Sequence, residues 1–273
     1  MRVRMHNPHH PLTKESGMTM SLIEMEKALK QLRLSGIRAT LETRVVESQA
    51  ANLSFLETFS ALLQDELDTR RSRLLERHFK LSGLDERVSL EEFDWGYNPK
   101  IPKRACFDLN TLKFVQEGEN PLLIGPPGTG KSHVAKAIAY AAVRAGYRVL
   151  YAEADTFLGE LVATPGNARQ RLWQAASEAD LLILDDLFLA RRMGADTADQ
   201  LQALVHRRYK RRLSTFITSN RVITDWERYL GDAPLTTAIL DRLMHRSTFL
   251  EFAGRSYRLK DAAHRLAKSA ADA

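Results

Sequence analysis

Apolar positions along the chain fall into two textures. From residue 18 to about 92 they recur at helical spacing. Leu22, Met25, Leu29 and Leu32 step by three, four and three, which puts one apolar stripe on a helix. Ser35-Gly36 is expected to end that helix, and a second is expected over roughly 37–51. A third opens at Ser54, with Glu57 three residues on in the pattern of a capping box. Leu56, Phe59, Leu63 and Leu67 then share one face. Arg70, Arg71, Arg73 and Arg77 crowd its last turns, and Gly83 follows. Those cations either complement the helix dipole in solvent or meet phosphates. Residues 93–104, with Gly96, Asn98 and Pro99, break the periodicity and read as a linker whose aromatics pack on the next domain.

From about 105 short apolar runs alternate with helical stretches. The runs at Leu122–Ile124, Arg148–Tyr151, Leu181–Leu184, Thr215–Thr218 and Thr248–Phe252 are strand candidates. Alternation of this kind predicts a parallel sheet covered on both faces. The expected organisation is a tail over 1–17, a small all-helical domain over 18–92, the linker, and an α/β domain over 105–273. His6, His9 and His10 in the tail could bind metal, but a solvated tail is the simpler reading.

Composition narrows the class. The chain has 273 residues, 44% of them hydrophobic and 27% charged, as in a soluble globular protein. No apolar run reaches the ~20 residues of a membrane span, and no apolar stretch follows Arg2 and Arg4 as in a secretory signal. One cysteine, Cys106, excludes an internal disulfide and points to a reducing compartment. Forty Lys+Arg against 34 Asp+Glu give a net charge of +6, which mildly favours an anionic partner.

The strongest motif is Gly125-Pro126-Pro127-Gly128-Thr129-Gly130-Lys131-Ser132, which fits G-x-x-x-x-G-K-[ST]. A strand candidate precedes it. A helical pattern with Val134, Ile138 and Ala142 comes next, ended by Gly146. Glycines let backbone N–H groups curl around a phosphate, and the helix N-terminus adds positive partial charge. Lys131 supplies a full charge for the β- and γ-phosphates of ATP, and the Ser132 hydroxyl is a ligand for Mg²⁺.

Leu181-Leu182-Ile183-Leu184-Asp185-Asp186 reads as a buried strand with two acids at its carboxyl end, where open parallel sheets hold their ligands. Asp185 is expected to hold Mg²⁺, directly or through water. Asp186 is expected to polarise the attacking water as a general base. Thr218, Ser219 and Asn220 end another strand candidate. Asn220 is expected to orient water or contact the γ-phosphate; a turn-forming Asn is the alternative.

Together these residues resemble the AAA+ ATPases: a Walker A loop at 125–132, a Walker B strand at 181–186 and a sensor-1 strand ending at Asn220. Within them the chain is similar to the branch of IstB transposition helpers and DnaC helicase loaders. Met18–Gly83, Phe93-Asp94-Trp95, Thr218-Ser219-Asn220-Arg221, Asp241-Arg242-Leu243 and Gly254-Arg255-Ser256-Tyr257-Arg258 all look like IstB. The resemblance implies a five-stranded AAA+ core with ATP and Mg²⁺ as cofactors. It also implies an ATP- and DNA-dependent homo-oligomer on duplex DNA beside an insertion-sequence transposase. The setting would be a bacterial cytoplasm, nucleoid-associated when on DNA. Arg242 matches the arginine-finger position, with Arg246 as runner-up. Asp186 stands where many AAA+ proteins have Glu, one methylene longer, so water activation is expected to be slower. Few residues follow the last strand candidate, so the lid is expected to be reduced or absent.

Two kinds of cation are candidates for DNA. Arg191 and Arg192 follow Asp186 on the nucleotide side, and Arg169 and Arg171 lie in the 153–179 insertion. The run Arg207-Arg208-Tyr209-Lys210-Arg211-Arg212 precedes a strand start, on the edge away from ATP, and reads as a solvated face. Phosphate contact rather than base readout is expected. The rival readings are a DnaC-like replicative helicase loader, a P-loop kinase for a small molecule, and a nucleotide-binding scaffold without turnover. The match over 18–83 favours the transposition helper. The strand ending Ser219-Asn220-Arg221 and the absence of an obvious nucleoside lid argue against the kinase.

Overall fold

The computed structural model describes residues 20–189, 192–260 and 262–263. The histidine-bearing tail, Arg191 and most of the expected C-terminal tail lie outside them. The chain divides into two compact units between Arg73 and Leu74.

The first unit is helical: α1 (Leu22–Gln31), α2 (Ser35–Ala51) and the leading part of α3 (Phe55–Leu81). Ser21 and Glu24 form a capping box on α1, and Ser54 with Glu57 does the same for α3. Ser35 opens α2 rather than closing α1. The break is made instead by Leu32 and Arg33, whose φ of 58° is left-handed. Residue 34 is a leucine and offers no capping oxygen. Buried Glu66 supplies it from α3, accepting the Gly36 N–H at 2.6 Å and the Ile37 N–H at 3.3 Å. Arg70 balances that carboxylate at 2.7 Å, so this arginine is held within the unit. Ile37, Leu41 and Leu62 form a small core with Met25, Leu29 and Leu34 against it.

The second unit is built on five parallel strands: β1 (Asn120–Ile124), β2 (Val149–Glu153), β3 (Leu181–Leu187), β4 (Ser214–Ser219) and β5 (Ser247–Glu251). Their order is β2-β3-β4-β1-β5. Alternate residues feed opposite faces, as the two-residue period requires. Leu123, Ile183 and Phe216 join one core, and Leu122, Leu184 and Ile217 the other. Against the first lie α4 (Lys103–Asn110), α5 (Lys113–Glu117) and α6 (Lys131–Arg144). Against the second lie α7 (Ala154–Ala163), α8 (Gly166–Glu178), α9 (Ala195–Arg211), α10 (Trp226–Leu230) and α11 (Ala233–Met244).

The unit begins well before the step at 92/93 that composition suggests. Leu75, Phe79, Val88, Phe93 and Trp95 all pack on the first core, and Leu90 is fully enclosed in it. Beyond α3, the Ser82 carbonyl accepts the Tyr151 N–H at 2.7 Å on the outer side of β2. Gly83 comes next, with φ of 76°; a Cβ there would fall 2.4 Å from the Tyr151 carbonyl oxygen.

Within the basic run, Arg208 is not solvated. It is 0% exposed, and its guanidinium donates to the carbonyls of Ala176, Ala179 and Ser214 and to the Thr215 hydroxyl. Burial pushes its pKa down, yet five donors in a fixed fork let it tie α8, α9 and β4 together.

Candidate functional site

Parallel order brings the carboxyl ends of β1, β3, β4 and β5 to one edge. Ile124 is level with Ser219 on one side and Glu251 on the other, and Leu187 pairs with Ser219. A cleft of about 370 Å³ opens there. Its wall includes Pro127, Gly128, Thr129, Gly130, Lys131 and Ser132, the middle and end of the glycine loop between β1 and α6. Gly125 and Pro126 are not part of that wall. Their carbonyls accept from the Lys131 ammonium at 2.8 and 2.9 Å. Burial lowers the pKa of Lys131, and the charges of Asp186 and Asp185 oppose that shift. The Thr129 hydroxyl turns inward to the Pro126 carbonyl at 2.8 Å.

Two glycines are dictated by space as well as conformation. Gly128 has φ of 75°, and a Cβ on it would meet the Ser256 hydroxyl at 2.1 Å. Gly130 has φ of 101°, and a Cβ would meet the Phe93 ring at 2.4 Å. The loop is therefore closed in by residues distant in sequence, from residues 93–104 and from beyond β5.

The two acids part company. Asp185 is 3% exposed and stands outside the cleft wall. One of its oxygens accepts from the Thr218 hydroxyl and the other from the Tyr151 hydroxyl at 2.6 Å. Asp186 lies on the wall. The β3–β4 register shifts between Leu184 and Leu187, and Asp186 takes a left-handed φ of 52°. A bulge of this kind re-aims one side chain out of strict alternation. Burial and then the neighbouring Asp185 charge raise the pKa of Asp186, making it a better proton acceptor than an open carboxylate. Asn220 also lies on the wall, and its side-chain carbonyl is buried without a donor among the described residues. An unpaired buried carbonyl costs about 1–3 kcal/mol, so a position for a bound water or ligand donor is the economical explanation.

Sequence reasoning missed several wall residues. Phe93, Tyr97 and Asn98 come from the stretch that reads as a linker, and Tyr257 and Arg258 from beyond β5. Asn98 donates to the Arg255 carbonyl at 2.8 Å and accepts the Arg255 N–H at 3.0 Å. The Tyr97 hydroxyl donates to the Ser256 carbonyl at 3.1 Å. Arg258 acts on Lys131 and Asp186 through its charge. The available signal is topological: a strand neighbouring β1 must deliver the residues after it to the loop.

A family model described as the IstB-like ATP binding protein matches residues 27–265. The chain belongs to this family. It is 37% identical over 240 residues to the ATP-binding protein of insertion sequence IS21 from Pseudomonas aeruginosa, covering 87% of this chain and 89% of that one. It is 33% identical over 238 residues to an insertion-sequence ATP-binding protein of Mycobacterium tuberculosis, covering 86% and 93%. Among solved structures, DnaI superposes with a TM-score of 0.51 at 22% identity, over 62% of this chain and 90% of that one. AMPPCP-bound DnaA from Aquifex aeolicus gives 0.51 at 22% identity, over 68% and 56%. The fold is thus an AAA+ P-loop core preceded by a helical region, and the IstB-like family binds ATP. The glycine cradle, the ammonium, the Ser132 hydroxyl and the donorless Asn220 carbonyl suit a magnesium-bound triphosphate with a water beside it.

The remaining candidates of this IstB-like chain lie elsewhere. Arg242 sits in the last turn of α11, which is held at the strand-start edge by Asn120 donating to the Leu243 carbonyl at 3.2 Å. Its Nε donates to His206 Nδ1 at 3.0 Å and its Nη1 to the Ala238 carbonyl. It does not line its own cleft and is not paired with Asp241. Arg169 and Arg171 are exposed on α8, and Arg192 is exposed beside a shallow hollow shared with Asp225 and Glu227. No described helix is long and apolar enough to cross a membrane.

Proposed function

We propose that this chain is an ATP-hydrolysing, duplex-DNA-binding assembly factor that recruits or activates an insertion-sequence transposase. The observation carrying the hydrolytic part is the meeting of the Lys131 loop, Asp186 and the donorless Asn220 carbonyl on one wall. The family and its insertion-sequence relatives support the setting. In this reading Lys131 binds the β- and γ-phosphates, and Ser132 and Asp185 would hold magnesium, Asp185 directly or through water. Magnesium, when bound, shields phosphate charge. Asp186 takes the proton of the attacking water, which Asn220 orients. Arg169, Arg171, Arg191 and Arg192 meet DNA phosphates without reading bases.

The test measures ATP turnover with duplex DNA plus either the cognate transposase or the replicative helicase of the same host. DNA binding is expected to be indifferent to sequence and to weaken steeply with salt, because neutralised phosphates release counterions. Turnover is expected to rise several-fold with the transposase and not with the helicase. The reverse pattern would replace this reading with a DnaC-like helicase loader.

Arg242 is proposed to act on a neighbouring subunit's phosphates, because its helix ends on the edge away from its own cleft. Arg242→Ala is expected to bind ATP and turn over at least ~10-fold more slowly. Mixed with Lys131→Ala under subunit exchange, it should regain part of the parental rate, since one mixed interface keeps both intact halves. A flat rate across all mixing ratios would count against action across subunits.

A further inference from the structure

Tyr151 stands on the edge strand β2 with its ring in the first core, 8% exposed. A phenylalanine would fill that space equally well. The hydroxyl instead ends on a carboxylate, donating to Asp185 at 2.6 Å. The other oxygen of Asp185 accepts from Thr218, whose own oxygen accepts the Asp186 N–H at 2.8 Å. A threonine hydroxyl has one hydrogen to give. Once Asp185 takes it, the lone pairs are left facing the Asp186 amide. Three strands are thereby joined in one line, from β2 through β3 to β4.

The line ends where the backbone needs support. Asp186 is a non-glycine residue with φ of 52°, at the point where the β3–β4 register slips. Such conformations persist only where their surroundings over-determine them. The Thr218–Asp186 hydrogen bond is the side-chain tie on that residue's amide, and the Asp185 carboxylate fixes the Thr218 rotor. Removing the Tyr151 hydroxyl would leave one buried oxygen of Asp185 short of its donor and free the carboxylate to turn.

We propose that Tyr151 is a positioning residue for hydrolysis, acting through Asp185 and Thr218 to hold the Asp186 carboxylate in place. The inference rests on the ATPase reading. Its effect is on turnover rather than on nucleotide affinity, because the phosphate-binding loop makes none of these bonds and the Thr218 hydroxyl still holds Asp185, the acid assigned to magnesium.

The test is Tyr151→Phe in the full chain. Turnover is expected to fall about 10-fold, with KM and the Kd for ATP unchanged within about twofold. In nucleotide-free protein, hydrogen exchange should quicken at the Asp186 amide and stay unchanged in α6. In an Asp185→Asn background the substitution should cost nothing further, because residues acting as one unit are not additive. A parental rate in Tyr151→Phe would overturn the inference. So would a Kd that rises in step with the loss of rate, or independent losses in the double variant. A parental chain with no turnover under any tested condition would overturn the ATPase reading, and this inference with it. A parental chain that turns over beside an unaltered Tyr151→Phe would overturn the inference alone.

Discussion

Lys131→Ala is expected to weaken ATP binding by at least ~100-fold, about 2.7 kcal/mol at 1.36 kcal/mol per decade. The ammonium is buried in the loop and, among the described residues, donates to two backbone carbonyls, those of Gly125 and Pro126. A triphosphate offers it full negative charge in place of those dipoles, and charge-assisted hydrogen bonds are about twice as strong as neutral ones. Alanine keeps the helix start of α6 and removes the charge. Melting temperature should therefore stay close to parental while a fluorescent-nucleotide titration shows little binding. Affinity within threefold of the parent would show that the phosphates sit elsewhere.

Asp186→Asn should separate binding from turnover. The amide has the carboxylate's shape and cannot accept the proton of an attacking water. General base catalysis contributes roughly 10²–10⁴-fold, so a fall of at least ~100-fold in kcat is expected. Nucleotide affinity should hold or improve slightly, since one negative charge leaves the phosphate cleft. Single-turnover hydrolysis beside equilibrium titration makes the distinction. Parental turnover in this variant would move the base to another group.

How much of this site the sequence reveals depends on which constraints are local. The glycine loop is legible because its demands on φ and on close approach are met only by glycine. The strands are legible because burial on both faces leaves continuous apolar runs, as at Leu181–Leu184. The division of labour between Asp185 and Asp186 is not. Strict alternation would send adjacent residues to opposite faces, and only the register shift shows which one reaches the cleft. Arg208 deceives for a related reason. Five cations in six positions read as a wet surface, and its acceptors are backbone carbonyls 32 and 29 residues earlier and six residues later, with a threonine hydroxyl seven residues later. Arg258 reaches the wall through the order β4-β1-β5, and Phe93 and Tyr97 through long-range packing on the first core and the Tyr97–Ser256 hydrogen bond, none of which a local pattern encodes.

The contact made by Ser82 and Gly83 on the outer side of β2 bears on how copies of this chain can associate. An edge strand is a template: its free N–H and C=O groups invite a strand from another molecule. Here the Tyr151 N–H is already engaged, and the backbone of residue 83 lies so near the Tyr151 carbonyl that a methyl group would not fit. A strand approaching this margin finds its rung taken. Sheet extension on that flank is thus hindered at its middle rung, where a second strand would have to displace residues 82 and 83 before it could pair.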